Sequence, residues 1–92
     1  MPTNPLRLTD VIRLAQIVEA AVHGSKVRWT TPDSEEIHEG VVRRIADADG
    51  SILTPETDVR DGVLVVTCWT IERTIPVTLA MSLIGEGAIA FE

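Results

Sequence analysis

The side chains that could do chemistry fall into four groups. They are the acids of a polar loop, a histidine among glutamates, a single cysteine, and a set of cations beside a tryptophan. In the loop, "DADGSILTPE" places Asp47, Asp49, Gly50, Ile52 and Glu56 where a calcium-binding EF-hand loop has positions 3, 5, 6, 8 and 12. Position 1 would be Ile45, which cannot ligate, and Pro55 falls where the exit helix should begin. The flanking segments read as strands, so the loop is expected to be a solvated turn rather than a calcium site.

His38 stands in "EEIHEG", on one strand face with Glu36 and opposite Glu39. Zinc needs three or four converging ligands. The other candidates, His23 and Cys68, are at no recognised spacing from His38. No metal and no cofactor is expected. Cys68 lies in the most apolar run, "VLVVTCW", whereas a reactive thiol needs an electropositive, partly open setting. It reads as a small core residue. No nucleophile-elbow or phosphate-loop pattern is present, and "GEG" near the end is too short to cradle a phosphate. The expectation is a protein that is not an enzyme.

The cations are the remaining candidates. Lys26 and Arg28 share a strand face. Arg43 and Arg44 are adjacent on the next strand, and alternation puts one on each face. Up to three cations could therefore share a patch. Small barrels bind single strands with cations on phosphates and aromatics under bases. Here Trp29 alternates away from Lys26 and Arg28, toward the core. Glu35, Glu36 and Glu39 can neutralise the arginines across the hairpin.

These residues must be positioned by a small scaffold. Ninety-two residues make one domain. A chain of this length buries roughly 60–65% of its unfolded surface. The apolar share of 45% is that of a globular protein. The net charge of −6 opposes non-specific binding to nucleic acid or anionic membrane. With one cysteine, no disulfide can form within the chain. "MPTNPLRLTD" lacks the pattern of a secretory signal, and no apolar stretch approaches the ~20 residues that span a bilayer. A cytoplasmic location follows as the expectation. The positives are seven arginines and one lysine, a skew that accompanies GC-rich genomes. It suggests an actinobacterium or its phage as the source, hence a bacterial or phage-infected cell.

The expected layout is an extended arm over residues 1–8, a helix over 9–23 and a β unit over 25–92. Thr9 is the expected N-cap, with Asp10 in the first turn and Gly24 at the end. Val11, Leu14, Ala15, Val18, Ala21 and Val22 form the apolar stripe. Ile17 falls on the polar side and Ile12 at the stripe's edge, so both are candidates for contact with another chain. Beyond Gly24 the period becomes two, giving strands at "SKVRWTT" and "IHEGVVRRI", with Gly40 as a bulge or bend. A long acidic connection over residues 46–62 follows. "VLVVTCW" is a central strand, "TIERT" a turn, "TIPVTLAM" a fourth strand broken near Pro76, and "AIAFE" a fifth.

This predicts a mainly β fold with one N-terminal α-helix. Its core would be a small, bent, five-stranded antiparallel barrel of SH3-like kind, with the helix capping one open end. An α+β sheet with the helix across one face is the alternative. The order of one helix then five strands resembles the topology of Sm-like proteins. Their glycine-and-acid signature is not legible here, so neither ring formation nor RNA binding is implied. The function expected is a protein-interaction module that binds a protein partner, self-associates as a homo-oligomer, or both. Its contact residues would be Ile12, Ile17, Lys26, Arg28, Arg43 and Arg44. A single-stranded nucleic-acid-binding barrel is the alternative, disfavoured by net charge.

Overall fold

The structure is a computed structural model that describes residues 7–33, 35–54, 56 and 58–92. The arm over residues 1–6, the turn role of Ser34 and the position of Pro55 lie outside these. Helix α1 (Leu8–His23) leads into β1 (Lys26–Thr30) and β2 (Ile37–Ala46). A single 3-10 turn at Val59–Asp61 precedes β3 (Val63–Cys68) and β4 (Ile71–Pro76). Helix α2 (Val77–Glu86) and β5 (Ile89–Phe91) complete the chain. The strands form one antiparallel sheet in the order β4-β3-β2-β1-β5. The two edge strands, β4 and β5, are not paired with each other, so the sheet is open rather than closed into a barrel.

Both helices lie against one face of this sheet. The core gathers Ile17 and Ala20 of α1, Val27 and Trp29 of β1, and Val42 of β2. Leu64 and Val66 of β3, Ile75 of β4, and Val77, Ala80, Met81 and Leu83 of α2 complete it. β3 is central, and Leu64, Val65 and Val66 are all buried, as its unbroken apolar run required.

α1 begins one residue earlier than its sequence signals suggest, and its cap differs. Arg7, not Thr9, is the N-cap, and its backbone N–H donates to Asp10 Oδ2 at 3.3 Å. Gly24 closes the helix in the left-handed region at φ 61°, donating to the Ala20 carbonyl. The helix is also rotated relative to the expected stripe. Ile17 is fully buried, while Val11, Val18 and Val22 are exposed. The apolar residues cover far more than half of the helix circumference, so composition did not single out one face. The face that packs is the one joining bulky Ile17 to small Ala20, where the helix can approach the sheet closely.

The second helix replaces an expected strand. Val77, Ala80, Met81 and Ile84 recur at helical spacing, but β-branched Val77 and Thr78 disguise the start. Pro76 ends β4 and caps α2, where its missing N–H costs nothing. The Val77 N–H donates to the Gly62 carbonyl at 3.0 Å, fixing the corner. Arg13 of α1 lies over Gly85 of α2, where an added Cβ would come within 2.8 Å of Nη2. Pro76 was rightly an edge marker, since β4 is an edge strand and stops there. "TIERT" is not a turn: Ile71 to Thr74 belong to β4, and the chain reverses one step earlier, at Trp69 and Thr70.

Candidate functional site

The sheet face turned away from the helices carries the polar residues. On β1, Lys26 and Arg28 alternate outward from buried Val27 and Trp29. On β2, Glu39 lies directly opposite Arg28, and their side chains meet at 3.0 Å. Glu39 and Val41 face outward, whereas Ile45, four residues beyond Val41, joins the core on the other face.

The change of face has one cause. Val42 pairs with Val66 and Arg44 with Val65, which leaves Arg43 as a surplus, bulged residue. Alternation without a bulge would send one of the two arginines inward. With it, both are exposed, and the expected split between faces is corrected. Arg43 Nε donates to Thr67 Oγ1 at 3.0 Å, and Arg44 lies 3.7 Å from Glu72 of β4. Gly40, expected to mark the bulge, does something else: a Cβ there would sit 2.6 Å from Val66 Cγ1 and 2.7 Å from the Thr67 carbonyl. It permits β2 and β3 to cross closely.

Lys26, Arg28, Glu39, Arg43, Thr67 and Trp69 together line an open groove of about 520 Å³ on this face. Trp69 is the residue that sequence reasoning missed. It looked like the end of the β3 strand, but it forms the first residue of a two-residue hairpin turn. It has φ 59°, the one left-handed non-glycine residue among those described. Hairpins of this kind normally place glycine there. Trp69 is 97% exposed, so no packing explains its presence. The available signal was the "CWTI" spacing, with two residues between strand-like runs and no glycine or asparagine.

The structure therefore brings Lys26, Arg28, Arg43 and Arg44 to one face. Ile12 is exposed on α1, away from this face, and Ile17 is core and cannot contact a partner. Trp29 points inward as expected, stacked obliquely beside His38 with ring centroids 5.2 Å apart. The exposed ion pairs of this face, of which Arg28–Glu39 lines the groove, are each worth at most about 1 kcal/mol. A ligand carboxylate or amide can exchange for either partner at little cost.

The acidic connection is organised by its own backbone. Asp49 Oδ1 accepts from the Ser51 N–H at 2.9 Å, which holds this carboxyl below its ordinary value. Asp58 caps the 3-10 turn and grips Arg60, with Nη2 to Oδ2 at 2.8 Å. The Arg60 hydrogen bonds lower the Asp58 carboxyl, and the same contact raises Arg60. Among the described residues no three potential ligands converge as a metal site, and no helix is long and apolar enough to cross a membrane. Comparison with protein-family models, with curated proteins and with solved structures gives no match to this chain.

Proposed function

We propose that this chain is a non-enzymatic binding module that receives a segment of a partner protein in the groove between Trp69 and the Lys26–Arg28–Arg43 cluster. The observation that carries this reading is Trp69: a large apolar ring, almost wholly in water, on a backbone conformation that costs an L-residue energy. Strain of this kind, about 1–3 kcal/mol, persists where function requires the side chain. Tryptophan and arginine are also the residues that dominate protein-binding energetics. The mixture of charges favours a protein over a polyanion. Arg28 and Arg44 already face Glu39 and Glu72, and Glu92 lines the groove near Lys26. The fitting partner is an extended segment carrying an apolar or proline side chain for Trp69 and a carboxylate for Lys26 or Arg43. We infer a small SH3-like architecture as the scaffold, a reading supported by the meander β4-β3-β2-β1-β5, in which β4 and β5 are the two free edges.

Display selection of peptides on the folded chain tests this. Selected sequences should share an acid beside an apolar residue, shift the Trp69 emission on binding, and lose affinity for the Trp69→Gly and Lys26→Glu variants. Peptides that bind the wild type and both variants equally would overturn the reading.

One observation favours the second reading, a single-stranded nucleic acid. Trp69 supplies the stacking platform beside cations that Trp29 does not. That reading requires binding to oligothymidylate that weakens steeply with salt.

A further inference from the structure

α1 has two apolar sides, and the fold uses one. Ile17 and Ala20 are buried against the sheet and α2. On the opposite side stand Leu8, Val11, Ile12, Ala15, Val18 and Val22, all exposed. Their spacing is that of a heptad: Leu8, Ala15 and Val22 at one seam position, Val11 and Val18 at the other, with Ile12 beside them. Polar Gln16 and His23 lie to one side, with Glu19 at the same heptad position as Ile12.

We propose that a second copy of this chain covers this face, with the two α1 helices antiparallel and crossing at Ala15. Three features point to a copy of itself. The period of 3.5 matches another helix rather than a strand or an irregular segment. Under a two-fold axis at Ala15, the small residue lies at the crossing point, where helices must approach. Leu8 then meets Val22 of the other copy at both ends, and opposed helix dipoles align favourably. The third feature is area. A fully buried Val, Leu or Ile covers roughly 60–120 Å² of surface at the usual transfer coefficient. Five such residues, each about half exposed or more, give a few hundred Å² per copy. Two copies bury roughly 350–700 Å² through these residues and more with their flanks, the size of a weak, reversible interface.

The two seam positions carry no charge, and Glu19, exposed at the rim beside Val11 of the other copy, can keep its carboxylate in water. The helix is already held by its core face, so no folding cost is added on association. A lipid surface fits less well: the chain carries net charge −6, and Glu19 stands beside the stripe. The face lies on the far side of α1 from the sheet, so the groove at Trp69 stays open in the dimer. The inference does not depend on that groove having a ligand.

Sedimentation of the full chain from 1 μM to 1 mM tests the proposal. The mass should rise from 10.0 kDa to twice that, with the midpoint inside this range. Val18→Glu, exposed in the single copy, should remain monomeric with an unchanged circular dichroism spectrum. In a Cys68→Ala background, Leu8→Cys mixed with Val22→Cys should form a disulfide on oxidation, and neither variant alone should. A monomer throughout the range overturns the proposal, as does a dimer that survives Val18→Glu. Crosslinking within a single variant overturns the antiparallel arrangement. Dimerisation only after removal of residues 1–6 would give the face to that segment, and binding to phosphatidylcholine vesicles by a monomeric chain would give it to lipid. Either result overturns the proposal.

Discussion

Arg43 Nε lies 3.0 Å from Thr67 Oγ1, although Arg43 is the residue of β2 that has no ladder partner. The hydroxyl of the neighbouring strand orients a side chain that the bulge has released. Thr67→Val keeps the β-branched shape and removes the acceptor. Stability should change by less than about 1 kcal/mol, because an exposed hydrogen bond contributes little. The affinity for groove-selected peptides should fall, read by titration calorimetry. An unchanged affinity would show that Arg43 is positioned by other means.

Trp69→Gly should separate stability from binding. Glycine adopts φ 59° without the steric cost, and the indole makes no packing contact to lose. The variant should be about 1 kcal/mol more stable to urea than the wild type. A less stable variant would mean that the ring contributes to the fold, which would remove the argument for a binding role.

Ile17→Ala and Val11→Ala distinguish the two sides of α1. Ile17 is fully buried, so its truncation should cost about 2–5 kcal/mol. Val11 is 47% exposed, and its truncation should change monomer stability by less than about 0.5 kcal/mol. Urea denaturation of both at low concentration gives the comparison. The sequence stripe, which contained Val11 and excluded Ile17, required the reverse.

Acid should loosen the 3-10 turn through Asp58. Its carboxyl is held below the ordinary value of 3.8 by hydrogen bonds from Arg60. A folded-state value below the unfolded one means that the contribution is complete above pH 3.8 and is lost as pH falls through the folded value. The wild type should exceed Asp58→Asn in stability at neutral pH, and the two should converge as the acid limb is descended. Thermal melts from pH 7 to pH 2 follow this. Parallel curves would show that the Arg60 contact does not discriminate between the folded and unfolded chain.

Much of the sheet was legible because alternation is a strict signal. Val27 and Trp29 point inward, β3 is central, and Pro76 marks an edge, each for a reason visible in residue type. Three features were not legible. α2 is short and opens with β-branched residues, so its helical spacing competes with a strand reading. α1 is apolar around most of its circumference, and only tertiary packing selects Ile17 over Val18. The bulge at Arg43 depends on how β2 is matched to β3, a long-range pairing that local pattern does not encode. Gly40, three residues earlier, drew attention because glycine often accompanies bulges, whereas its reason is the closeness of Val66 and the Thr67 backbone. The candidate groove was half legible: its cations were named, but its aromatic was sought in Trp29 rather than Trp69.

The surplus residue in β2 also constrains how this segment can change length. Facing along a strand is a matter of odd and even positions, and Arg43 switches the count partway. Deleting it alone would leave Val42 opposite Val66 and Arg44 opposite Val65, so Arg44 stays outward and Ile45 stays in the core. Deleting Val42 instead would draw Arg43 into the ladder opposite Val66, with its guanidinium turned toward the core. The strand can thus lose a residue at the bulge and keep both faces, whereas the loss of a ladder residue beside it should harm the protein far more.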